Sequence, residues 1–123
     1  MAWNLDSQRP IYAQIIERVQ LDIVTGRYAP GSRLPSVREL AAQAAVNPNT
    51  MQKALSELET SGLIYTQRTS GRFVTEDILR IRQAKQRLAS MQVRDFIRKM
   101  QELGMSREEV TELFQEIVRE EGL

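Results

Sequence analysis

The stretch Val46–Gly62, "VNPNTMQKALSELETSG", decides how the rest of the chain is read. Asn47 is a helix-capping residue type, Pro48 suits the first helical turn and Gly62 suits the exit. Met51, Ala54, Leu55 and Leu58 recur at helical spacing and make one apolar face. The opposite face opens with Asn49, Gln52, Lys53 and Ser56, and no acid interrupts it before Glu57. A solvated helix face ordinarily mixes Glu with Lys and Arg. This face instead offers hydrogen-bonding groups and a cation, which suits contact with something polar and anionic.

Working outward, Ile11, Ile15, Val19 and Ile23 form an apolar stripe on an earlier helix that begins near Pro10 and stops at Gly26. The link "RYAPGSRLP" follows, with Pro30, Gly31 and Pro35 as breakers. Ser36 and Glu39 have capping-box spacing and open a second helix, with Leu40, Ala41 and Ala44 as its small apolar face. The turn "AVNP" leads into the quoted helix. After Gly62, "LIYTQR" and "RFVT" are β-prone runs around "TSG", which predicts a hairpin. Three short helices and a hairpin in that order make a winged helix-turn-helix, in which the start of the third helix enters the major groove of DNA.

Composition bounds the function. The 123 residues carry a net charge of +1, with no Cys and no His. Most zinc sites, His-based triads and the commonest general base are therefore absent, and no Gly-rich phosphate loop or nucleophile elbow frames the remaining hydroxyls and carboxylates. The expectation is a protein that is not an enzyme and needs no cofactor or metal. No window is apolar enough to span a membrane, and "MAWNLDSQRPIY" lacks the apolar core of an export signal, so the expected location is the cytoplasm.

A long helix is predicted from about Asp77 to Leu103, ended by Gly104. Ile78, Ile81, Ala84, Leu88 and Met91 share one side of it, while Val93, Phe96, Ile97 and Met100 lie about a quarter turn round. A last helix opens at Ser106, with Glu109 at capping-box spacing, and carries Val110, Leu113, Phe114, Ile117 and Val118 on one face. Arg80 to Lys99 is strongly basic and Glu102 to Glu121 strongly acidic. Two helices that attract each other and two independently solvated faces are both compatible with that pattern.

The run "GRYAPGSRLPSVRELA", Gly26–Ala41, continued by "VNPNTMQKAL", resembles the DNA-binding domain of the GntR family of bacterial transcription regulators. The likeness covers residues 10–75. The short two-helix tail, with no larger effector domain, is similar to the YtrA subfamily. The resemblance implies a mainly α (α+β) fold. A winged helix-turn-helix with a β-hairpin wing occupies residues 8–75, and a two-helix dimerisation hairpin occupies residues 76–123.

The resemblance also implies DNA contacts. Arg38 matches an arginine near the start of the second helix that contacts DNA. Asn47, Asn49 and Thr50 match the polar residues at the head of the recognition helix, with Gln52 and Lys53 one turn on. Gly71 matches the wing glycine, flanked by Arg68 and Arg72. Here the wing reads Arg68, Thr69, Ser70, Gly71, with Thr69 where the family often has glycine. Arg33 has two readings, a pairing with a carboxylate of the same domain or a DNA contact. Asn47 is a helix cap before it is a phosphate ligand. Trp3 and Tyr12 read as core-edge packing in preference to a ligand platform.

The implied function is a sequence-specific double-stranded DNA-binding regulator, a repressor, acting as a homodimer on a pseudo-palindromic operator. Ile81, Leu88, Met91, Phe96, Ile97, Leu113, Phe114 and Ile117 are the expected dimer interface, because the tail carries more apolar surface than its own length can hide. The alternative is a helical protein-interaction module that keeps the winged helix as a scaffold. The partners expected are duplex DNA and a second copy, with no membrane, and a small-molecule effector of unknown identity stays open.

Overall fold

A computed structural model describes residues 3–123. The elements follow as α1 (Ile11–Val24), α2 (Val37–Ala44), α3 (Pro48–Ser61), β1 (Ile64–Gln67), β2 (Gly71–Val74), α4 (Ile78–Glu102) and α5 (Arg107–Glu120). The strands form an antiparallel hairpin in which Ile64 faces Val74 and Gln67 faces Gly71. The mainly helical fold and the winged helix-turn-helix expected from the sequence are both present.

The local signals act as capping chemistry requires. Ser36 Oγ accepts from Glu39 N at 3.1 Å while Glu39 Oε1 accepts from Ser36 N at 3.0 Å, so two otherwise unpaired donors at the head of α2 are satisfied together. The same box closes between Ser106 and Glu109 at the head of α5. Asn47 caps α3 by accepting from Asn49 N at 2.7 Å. The turn between α2 and α3 passes through Ala45 at φ 58°, ψ 48°, the one non-glycine residue with positive φ among the described residues. Val46 N donates back to Ala41 O at 3.0 Å and completes the turn.

By backbone proximity the chain divides into two units, one running to Lys85 and the other from Gln86 to Leu123. In the first unit Ile15, Val19 and Ile23 of α1 meet Leu40 of α2, Met51, Leu55 and Leu58 of α3, and Leu63, Ile64 and Val74 of the hairpin. Each of these is essentially inaccessible, and burial of one such side chain is worth roughly 1.5–3 kcal/mol. Asp22, also buried, is held by Arg18 at 3.3 Å and Arg27 at 3.7 Å. Ala84 is buried in this core and Ile81 is half-buried against it. The first turns of α4 therefore pack as part of the winged-helix unit. Ile81, expected in the dimer interface, already has much of its side chain covered here.

Two further features of this unit are not apparent in the sequence. The segment 31–34 runs along β2 as a third extended strip, with Leu34 N donating to Arg72 O at 2.8 Å and Val74 N to Ser32 O at 2.9 Å. Residues 3–10 are pinned to α1 by buried Gln14, whose Oε1 accepts from Asp6 N at 2.7 Å and whose Nε2 donates to Asp6 O at 2.6 Å. Trp3 and Tyr12 pack on the core's edge, with the Arg18 guanidinium 5.0 Å from the Trp3 ring centre.

The second unit contains no buried residue. Met91, Phe96, Ile97, Leu113, Phe114 and Ile117 are between 39% and 58% exposed, and few backbone positions of α5 come close to α4. No helix among the described residues is long and apolar enough to cross a membrane.

Candidate nucleic-acid interface

The buried side of α3 locks the helix against α1 and α2 through Met51, Ala54, Leu55 and Leu58. Its other side is thereby presented to solvent: Asn49, Gln52, Lys53 and Ser56 are exposed, and Thr50 is half-buried. Asn47 is exposed too, with its Oδ1 committed to the cap. The N-terminal end of α3 carries no acidic side chain in its first turn.

Between residues 3 and 75 the cations fall into two groups. Arg9, Arg18, Arg27 and Arg72 each lie within 4.0 Å of a carboxylate oxygen. Arg33, Arg38, Lys53 and Arg68 are exposed and make no ion pair among the described residues. These four stand on the strip before α2, at the second position of α2, on α3 and at the wing turn. Arg38 lies where the helix dipole already presents positive charge, and no carboxylate among the described residues lies within ion-pair distance of it.

The wing is built around a close approach. Gly71 has φ +106°, and a Cβ there would lie 3.2 Å from Arg33 Nε. The Arg33 side chain therefore lies over the wing glycine, held by the bridge between Arg33 and Phe73. The hydrogen bonds with Ser36 hold the Glu39 carboxyl below the usual range against a smaller upward push from burial, and the Arg33 charge adds slightly to the lowering. Tyr65 and Phe73 stack across the hairpin at 5.8 Å. Thr69 and Ser70 complete the exposed turn with Arg68, and Ser70 N donates to Gln67 O at 3.1 Å.

Arg72 stands differently from Arg68. Its Nε lies 2.6 Å from Glu59 Oε1, and Thr66 Oγ1 donates to the same oxygen at 2.5 Å. Partial burial pushes the Glu59 carboxyl up, but the bonds from Thr66 and Arg72 outweigh it and hold it below the usual range. This tie between α3 and the wing joins residues 13 apart and leaves no local pattern in the sequence. Burial, and then the neighbouring Glu57 carboxylate, push the Tyr12 phenol up on the face of α1 nearest α3. A groove of about 430 Å³ runs beside the head of α3, between Trp3, Leu5 and Ile11 on one side and Val46, Asn47 and Thr50 on the other.

This fold, with exposed cations on the strip before α2, on α2, on α3 and on the wing, defines a winged helix-turn-helix of the DNA-binding class. Residues 11–74 match the family model described as bacterial regulatory proteins, gntR family, and the chain belongs to that family. It is 40% identical over 109 residues to YhcF of Bacillus subtilis, an uncharacterized HTH-type transcriptional regulator, covering 89% of this chain and 90% of that one. It is 46% identical over 71 residues to the HTH-type transcriptional repressor YtrA of the same organism, covering 58% of this chain and 55% of YtrA. Among solved structures, a GntR family transcriptional regulator from Listeria monocytogenes superposes with a TM-score of 0.83 at 41% identity, covering 91% of this chain and 98% of that one. The DNA-binding domain of AraR, solved in complex with operator ORX1, superposes with a TM-score of 0.53 at 32% identity over 61% of this chain and 92% of its own. The protein is a transcription regulator of the GntR type, YtrA-like, and not an enzyme.

Proposed function

We propose that this protein represses transcription in the cytoplasm by binding, as a homodimer, a pseudo-palindromic site in double-stranded DNA. The division of the cations carries this reading. Four are paired within the winged-helix unit, and the four with no ion-pair partner among the described residues, Arg33, Arg38, Lys53 and Arg68, stand exposed on the strip before α2, at the start of α2, on the outward side of α3 and at the wing turn. A phosphate backbone neutralises such charges and releases counterions as it does so. Asn49, Thr50 and Gln52 are of the residue types that read base edges in the major groove, and the turn at Gly71 brings the wing to the adjoining backbone. Arg72 contributes by holding the wing to α3, and Asn47 by setting the start of α3.

Sequence discrimination favours two copies. One small reader makes few base contacts, each worth about 1–3 kcal/mol, and two-fold symmetry doubles them. The apolar side chains left open on α4 and α5, among them Phe96, Ile97, Leu113 and Phe114, supply a surface on which a second copy can pack. Repression follows the named activity of YtrA.

Selection of bound sites from random duplex DNA tests the whole reading. An inverted repeat with half-sites about one helical turn apart is expected. Recovery of unrelated sequences, or no retention of duplex DNA at low salt, would overturn it.

A further inference from the structure

We infer that the tail dimerises by reciprocal exchange: the acidic stripe of α5 in each copy lies along the arginine column of α4 in the other. This rests on the homodimer reading above and specifies which helix meets which.

Arg87, Arg94 and Arg98 lie within about 40° of one another on α4 by the 100° helical step, beside the apolar Ile97. On α5, Glu112, Glu116 and Glu120 follow at fourth positions and flank Leu113. Within the chain these opposite charges do not meet. Arg98 turns to Asp95 of its own helix at 3.3 Å, and no side chain of α4 pairs with one of α5 among the described residues. The apolar faces beside the two stripes are also uncovered, with Phe114 57% and Ile97 43% exposed.

One occupant answers both deficits. A second copy brings an acidic α5 to each basic α4 and an apolar α5 face to each apolar α4 face, and two-fold symmetry makes the exchange mutual. A partner of another kind would have to reproduce both patterns. Exposed ion pairs of this type are individually weak, so apolar burial supplies most of the affinity and the charges decide the pairing.

The test uses the full chain and light scattering. The parent is expected to be a dimer. Arg87→Glu/Arg94→Glu sets acid against acid, and Glu112→Lys/Glu116→Lys sets base against base. Each is expected to weaken its own dimer by roughly tenfold or more. Mixed together, the two variants are expected to recover a dimer of parental affinity, because in the heterodimer both α4–α5 contacts are complementary. Circular dichroism of each variant checks that the helices persist. The neutral variants Arg87→Gln/Arg94→Gln and Glu112→Gln/Glu116→Gln provide a second check that does not require charge reversal. They should fold as the parent and lose the salt dependence of its dimerisation.

Three results would overturn the inference while leaving the homodimer intact. The reversed variants could dimerise as tightly as the parent. The mixture could fail while all four substitutions in one chain succeed, which would place the pairing within a chain. The neutral variants could keep the parental salt dependence. A parent that stays monomeric at high concentration would defeat the homodimer reading itself.

Discussion

Arg72 of the wing and Glu59 in the last turns of the recognition helix approach to 2.6 Å, Nε to Oε1, with their side chains 19% and 31% exposed. The pair couples α3 to the wing, the two elements that the proposed binding mode brings to one duplex. It also withdraws Arg72 from the set of free cations and leaves Arg68 as the wing's unpaired charge.

That pair should be visible in stability. Glu59→Ala removes the acceptor shared by Arg72 and Thr66, and a loss of about 1–2 kcal/mol is expected in urea unfolding. The pH dependence follows from the lowered Glu59 carboxyl. The unfolded chain takes up the proton first, so the contribution is complete above the ordinary Glu value of 4.5 and fades as pH falls through the lower folded value. Unfolding midpoints followed downward from pH 6 should fall more steeply in the parent than in Glu59→Ala. Parallel curves would contradict this.

Arg38→Ala and Lys53→Ala should leave stability unchanged, since neither side chain has an ion-pair partner among the described residues. Each should weaken operator binding roughly five- to tenfold and reduce the slope of log affinity against log salt by about 0.9. Fluorescence anisotropy across a salt series measures both. Arg72→Ala is the contrast: it should lower the unfolding midpoint as well.

Gly71→Ala meets two obstacles, a φ of +106° and the Arg33 guanidinium 3.2 Å from the new carbon. Backbone strain of about 1–2 kcal/mol is expected, together with displacement of Arg33. Operator affinity should therefore fall further than in Ser70→Ala, which alters the same turn without either obstacle. Equal affinities for the two variants would show that the wing geometry is unimportant to binding.

Ala45→Gly works in the opposite direction. Ala45 holds φ 58° in the turn before the recognition helix, a conformation that costs a side-chain-bearing residue about 1 kcal/mol. Part of that cost is offset by the greater freedom of glycine in the unfolded chain, so a gain of about 0.5 kcal/mol in urea unfolding is expected. Binding should be unchanged, because Ala45 lies outside the exposed face of α3.

How much of this was legible in the sequence follows the range of each interaction. The caps at Ser36, Asn47 and Ser106, the apolar stripe of α1, the buried face of α3 and the hairpin all depend on neighbours within a few positions. Their spacing is written in the chain, and the structure has them at those places. The polar face of α3 was legible for the same reason, since burying Met51, Leu55 and Leu58 leaves Asn49, Gln52 and Lys53 outward. The strip at residues 31–34, the anchoring of residues 3–10 by Gln14 and the cover on Ile81 were not. Each depends on a surface made by residues remote in the chain.

By itself, then, the sequence determined the helices, the hairpin and which side of α3 faces outward, because periodicity and capping are local. The tertiary structure alone decided which arginines are already paired. Arg68 and Arg72 sit in the same wing with the same charge, and only the fold brings Glu59 to one of them. A charge is available to an outside anion when packing leaves it without a partner, and packing joins residues that the chain keeps apart.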